Sequence, residues 1–267
     1  MRRGAPARPT ARHRRLDPGR RAVLAGAAAT LASPALARFP ATVPDGLVFF
    51  VGNSFTRQHG IPALVCGIAQ ASGTLAKCHP HTANGAWLDA SADFAQSILI
   101  ERGAPLPGAV VLQDHSIAPL TPAGRQRSAR AIRTWSAAFE QTVLFETWPR
   151  RADHPIYLDR NRPRSPEGMA DIVHDHYANQ AYDLGAATAP IGLAWVEAET
   201  FEIDLYAADG YHANLAGAWL AAMMLARALD LPDPYAAPPP DGLDPGVAAE
   251  LAEIAERNVY TDDMKPL

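Results

Sequence analysis

Gly46-Leu47-Val48-Phe49-Phe50-Val51 runs through Gly52-Asn53 into Ser54-Phe55-Thr56, and this passage from strand to turn to helix sets the reading of the whole chain. The β-branched and aromatic run reads as a buried strand; Gly52-Asn53 breaks it, and a helical pattern begins near Arg57. Outward from there the two patterns alternate. Helices are expected at about 61–72, 88–102, 122–139 and 169–184, with strands near 74–79, 109–113, 142–147 and 190–195, then a helix after His212. Alternation of this kind predicts an α/β fold: a doubly wound, five-stranded parallel sheet of flavodoxin-like type, covered on both faces as a three-layer α/β/α body. Ligands of such sheets meet the carboxyl ends of strands, where Ser54, Gln113 and Trp148 are expected to emerge.

Ser54 on a strand-to-helix turn projects its hydroxyl from the sheet edge, beside backbone N–H groups and a positive helix terminus that suit a developing oxyanion. The plain reading of such a serine is an N-cap. A second segment changes the balance. Ala208-Asp209-Gly210-Tyr211-His212-Ala213-Asn214 is a polar, glycine-containing turn ahead of the apolar run 215–225. A serine hydroxyl is a poor nucleophile at neutral pH. It needs a base that titrates near pH 7 and a third group that fixes the tautomer of that base, and His212 and Asp209 are of the right types. Taken alone, Asp209 would read as a helix cap and His212 as a surface histidine.

Together the two segments resemble the first and last blocks of the SGNH, or GDSL-type, hydrolases, over about residues 46–229. The resemblance implies Ser54 as nucleophile, Asp209 as orienting acid and His212 as base. It also implies an oxyanion hole from the N–H groups of Ser54 and of Gly85, in Asn84-Gly85-Ala86-Trp87. Two departures stand out. The usual G-D-S reads Gly52-Asn53-Ser54, and where G-x-N-D is expected the chain has Gln113-Asp114-His115-Ser116 without an asparagine. Gln113 is the nearest substitute, either as a side-chain donor to the oxyanion or as a hydrogen-bonded brace. A branch with G-N-S-F-T and L-Q-x-x-S blocks is the nearest likeness. Asn53, Trp148 and His115 are read as substrate contacts, Trp148 through a face suited to stacking on sugar rings. The implied activity is a serine esterase acting on small acyl esters, acetyl on carbohydrate among them, without cofactor. The alternative is a catalytically silent carbohydrate-binding protein on the same fold. A dinucleotide- or flavin-binding protein is disfavoured, because the first turn has one glycine where a phosphate-cradling loop needs several.

Composition agrees with one catalytic domain, residues 38–267: 267 residues in all, 48% of them hydrophobic. The first 37 residues differ in kind. Eight arginines precede an alanine-rich apolar run (22–31), and Gly19-Arg20-Arg21-Ala22-Val23-Leu24 resembles a twin-arginine export signal, with cleavage expected after Ala37 and a periplasmic or secreted product. Without this segment 16 basic residues face 27 acidic ones, a net charge of −11. Such a body repels phosphate backbones, so nucleic acid is not an expected partner, and the apolar run is too short to span a membrane. The expected partner is a small-molecule or carbohydrate ester.

Cys66 and Cys78, the only cysteines, fit an oxidising compartment; a disulfide and a buried free thiol both remain open. No metal is expected. His79-Pro80-His81 contains proline, and His174 and His176 diverge on a helix. Residues 149–168 leave the fourth strand as either a substrate lid or a solvated connection. The proline-rich stretch 230–246 reads as a rigid linker to a final helix at 247–257.

Overall fold

The computed structural model describes residues 46–258. The export segment expected at 1–37 lies outside the described residues. Five parallel strands form one sheet: β1 (Leu47–Gly52), β2 (Lys77–Thr82), β3 (Leu106–Leu112), β4 (Phe139–Phe145) and β5 (Ala187–Ala189), in the order β2-β1-β3-β4-β5. The connecting helices are α1 (Ser54–Arg57), α2 (Ile61–Ala71), α3 (Ala92–Arg102), α4 (Pro122–Ser136), α5 (Pro166–Leu184), α6 (Ile191–Thr200), α7 (Leu215–Ala228) and α8 (Pro245–Arg257).

The two-residue period of β1 sends its side chains to two cores. Val48 and Phe50 pack with Val65 and Ile68 of α2, Trp195 of α6, Leu220 of α7 and Leu251 of α8. Leu47, Phe49 and Val51 pack with Ile98 of α3, Trp135 of α4 and Tyr177 of α5. Both faces of the sheet are therefore covered, and the expected three-layer α/β/α architecture is present. α7 is buried almost all round, from Ala216 to Ala226, which is why its sequence is nearly free of polar residues.

Three local expectations are corrected. Residues 190–195 are not a strand: β5 ends at Ala189, and Ile191–Thr200 is α6. An apolar run buried on all sides has no periodicity to tell strand from helix, and Pro190 at the N-cap starts the helix. β2 begins three residues later than expected and includes Pro80, which an edge strand tolerates because one side of its backbone makes no ladder bonds. β3 and β4 each begin and end a little earlier than the apolar runs suggested. Cys66 of α2 and Cys78 of β2 form a disulfide with a Cα separation of 6.0 Å, which settles the open pairing.

Candidate active site

β1 delivers Ser54 to the carboxyl edge of the sheet, and a network of buried polar groups fixes the turn that carries it. The Oδ1 atom of Asn53 accepts from the Phe55 N–H (3.1 Å) as the N-cap of α1, and its Nδ2 donates to the Ala86 carbonyl (3.0 Å). The Asn53 N–H donates to Gln113 Oε1 (2.9 Å), which also accepts from Thr56 Oγ1 (2.9 Å). Gly52 has to be glycine here. A Cβ would collide with Thr56 Oγ1 and lie 2.7 Å from Gln113 Oε1.

The turn before α7 supplies the facing groups. Asn214 caps α7 by accepting from the Gly217 N–H (3.0 Å) and donates through Nδ2 to the Asp204 carbonyl (2.7 Å). Tyr206 and Ala213 pair across the turn as an antiparallel bridge. From the β4 side, Trp148 Nε1 donates to the Tyr211 carbonyl (2.9 Å), and the Arg151 N–H to the Gly210 carbonyl (2.9 Å). Within this frame Asp209 Oδ1 accepts from the N–H groups of Tyr211 (3.1 Å) and His212 (3.0 Å). Its Oδ2 lies 2.7 Å from His212 Nδ1.

His212 Nε2 in turn lies 2.8 Å from Ser54 Oγ. Three side chains separated by up to 158 positions thus form one hydrogen-bonded line. Asp209 needs a donor, so it selects the tautomer with the proton on Nδ1, which leaves Nε2 bare to accept from the serine hydroxyl. The imidazole is held between the rings of Tyr211 (4.1 Å between centres) and Phe55 (5.3 Å). Partial burial works against the Asp209 charge, but hydrogen bonds from the His212 N–H, the His212 ring and the Tyr211 N–H outweigh it and hold the carboxyl below its ordinary value of 3.8. An ionised Asp209 is the form that stabilises an imidazolium.

Other expected site residues are placed differently. Trp148 is fully buried, stacked on Trp195 at 4.3 Å and 7°, so its face is a core contact and not a platform for substrate. Asn53 is 3% exposed, with its side chain used in capping and in the bond to Ala86. It positions the serine turn rather than touching substrate. Gln113 is fully buried; its Oε1 serves the turn, and its Nε2 donates to the Asp114 carbonyl. Complete burial and the two bonds that its Oε1 accepts from the serine turn make it the brace, the second of its two expected roles, rather than a donor reaching the open face of the site. Gly85 lies exposed after β2, in the loop that Asn53 ties to the serine turn through Ala86. His115 is half-buried after β3, stacked on Trp87 at 4.9 Å and 21°.

Arg150 carries no signal in the sequence, because it sits in the irregular stretch after β4. Yet it is 7% exposed, donates through Nη2 to Ser116 Oγ (2.7 Å), and lies 5.1 and 4.9 Å from the ring centres of Phe55 and Tyr211. Burial lowers its pKa to about 10, which leaves it cationic at neutral pH. Residues 148–150 are therefore core, while much of 152–164 is exposed. Among the described residues no cluster of three or more His, Cys, Asp or Glu could hold a metal ion, and His79 and His81 instead stack on Phe49 at 5.0 and 5.8 Å. No described helix is long and apolar enough to cross a membrane.

No protein-family model and no curated protein sequence matches the chain. Solved structures do. A DUF4886 family protein from Bacteroides uniformis superposes with a TM-score of 0.65 at 17% identity, over 79% of this chain and 93% of its own. A Slackia heliotrinireducens protein described as a candidate SGNH hydrolase gives 0.55 at 24% identity, over 68% and 98%. A variant of an acetyl xylan esterase from Geobacillus stearothermophilus gives 0.53 at 12% identity, over 70% and 95%. At these identities the likeness speaks for architecture, and the architecture of this chain is that of the SGNH/GDSL hydrolases.

Proposed function

We propose that the chain is an SGNH-type serine esterase that removes small acyl groups, acetyl on carbohydrate in particular. The observation that carries the reading is the continuous line from Ser54 Oγ to His212 Nε2 (2.8 Å) and from His212 Nδ1 to Asp209 Oδ2 (2.7 Å). In the proposed reaction His212 takes the hydroxyl proton as Ser54 attacks the ester carbonyl, and Asp209 stabilises the imidazolium. The tetrahedral intermediate collapses when His212 returns the proton to the leaving alcohol. Water, deprotonated by the same imidazole, then hydrolyses the acyl-serine. The N–H of Ser54 at the start of α1 and that of Gly85 are the proposed backbone donors to the oxyanion, supported by the Asn53–Ala86 bond that fastens their two loops together.

Acetylated carbohydrate as substrate rests on the acetyl xylan esterase among the structural neighbours, a likeness of fold. The proposed site of action is the periplasm or beyond, supported by the arginine-rich leader and consistent with a disulfide. Ser54→Ala should lower kcat on p-nitrophenyl acetate by several orders of magnitude and abolish labelling by a fluorophosphonate. Full activity in that variant would refute the serine mechanism, and an unlabelled wild-type chain would favour a silent binding protein.

A further inference from the structure

A tetrahedral intermediate formed on Ser54 carries a full negative charge on one oxygen, and two backbone N–H groups leave room for a third donor. Gln113 is fully buried behind the serine turn, which its Oε1 braces, so the third donor is sought elsewhere. The sheet register shows which side chain comes next. β1 and β3 are parallel neighbours with Val51 opposite Leu112. Counting outward from that pair, Ser54 and His115 each stand three positions beyond it, where the two chains leave the sheet side by side.

The loops around His115 hold it in place. Its N–H and that of Leu88 both donate to Asp114 Oδ1 (2.6 and 2.8 Å), and the Asp114 N–H donates to the Tyr177 hydroxyl (3.2 Å). The ring stacks on Trp87, whose other contacts include the Arg127 guanidinium, 4.2 Å from its ring centre. Arg127 is itself clamped by Asp89 through two bonds of 2.6 Å. Trp87 follows Ala86, the acceptor of the Asn53 side chain, so one short path of contacts joins the imidazole to the residue before Ser54. The Ile117 N–H points at His115 Nδ1 at 3.4 Å, which uses that nitrogen as an acceptor and places the ring proton on Nε2.

Resting on the serine-esterase reading above, we propose that His115 is a further catalytic residue, a neutral imidazole whose Nε2–H donates the third hydrogen bond to the oxyanion. It keeps its proton throughout and acts only as a fixed dipole. Burial, joined by the charges of Arg150 and Arg127 and opposed by Asp114, holds the ring below its ordinary pKa of 6.5, which favours the neutral form. A neutral donor suits this place because a cation there would compete with His212 for the proton chemistry and pair with carboxylates in the ground state.

The test compares His115→Phe, which keeps the stack on Trp87 without a donor, with His115→Gln, which restores an N–H donor. Melting temperature is measured on both. The expected result is a fall in kcat of roughly 10²- to 10³-fold for the phenylalanine variant with KM little changed, and substantial recovery for the glutamine variant. An unchanged kcat, a change confined to KM, or equal losses in both variants would overturn the proposal. Should His115→Phe fail to fold, His115→Met against His115→Gln gives the same comparison of donor with no donor. Ser54→Ala runs in parallel. If it is inactive while His115→Phe is fully active, only the oxyanion assignment fails; if it is active, the serine reading fails with it.

Discussion

At the scale of single residues, the site depends on which lone pairs and protons are already spoken for. Asp209 gives Oδ1 to two backbone N–H groups and Oδ2 to the imidazole, so the same carboxylate shapes its turn and sets the His212 tautomer. Asp209→Asn keeps an acceptor for the backbone but can present its amide N–H to Nδ1, which favours the wrong tautomer. Its kcat should fall by about 10⁴-fold with the fold intact, as read from steady-state kinetics and circular dichroism. The lowered pKa of Asp209 has a definite sign. Its contribution is present above the unfolded carboxylate range and is lost as pH falls through the still lower folded value. Trp148 teaches the opposite lesson: an aromatic at a strand end looks like a binding platform in sequence, yet its indole N–H is used to hold Tyr211 and its face is closed by Trp195.

At the scale of elements, α5 carries two histidines with opposite behaviour. His174 meets Glu146 through Nδ1 at 3.2 Å; burial opposes its charge, but the carboxylate prevails and raises its pKa. Glu146, fully buried at the end of β4, is itself pushed up by burial and held by Thr188 Oγ1 at 2.8 Å. His176 is 5% exposed, and burial, with Arg125 adding to it, pushes its pKa down to about 4 from 6.5. Between those two values the unfolded chain binds the extra proton, so His176 makes stability rise with pH across that window and fall on acidification. Chemical denaturation at pH 7 and pH 5 should show the loss, and His176→Gln should reduce the difference. The disulfide ties α2, which follows the serine turn, to β2, which leads into the Gly85 loop. Replacing both cysteines by serine should cost about 2–4 kcal/mol in denaturant titration, because the unfolded chain regains the freedom of the closed loop.

At the scale of the whole molecule, the two cores on either face of the sheet are assembled from residues spread across 47–255, and α7 closes one of them. Its approach depends on Gly217, where a Cβ would collide with the Trp195 ring and the Leu205 carbonyl. The export reading predicts that a chain starting at Arg38, with its net charge moved from −4 to −11, keeps the melting temperature and kcat/KM of the full chain. A drop in either would show that the leader contributes to the folded body.

Much of this organisation is legible in the chain itself, and for stated reasons. Strand-to-helix punctuation at Gly52-Asn53 and the alternation of patterns announce a parallel α/β sheet, because hydrophobic period and turn residues are local properties. The residue types at Ser54, Asp209 and His212 announce a relay, because a serine hydroxyl needs an imidazole base to take its proton and a carboxylate to fix the tautomer of that base. Their meeting is different. That Ser54 lies 2.8 Å from a ring 158 positions away, that Gln113 spends its amide on the serine turn, and that Trp148 and Arg150 are buried are outcomes of long-range packing. The run 190–195 shows the same limit, since burial on every side erases the period that would name it helix or strand. Local patterns are carried by neighbours in the chain and can be read there; which polar groups satisfy one another is decided only when distant segments compete for the same hydrogen bonds in the folded interior.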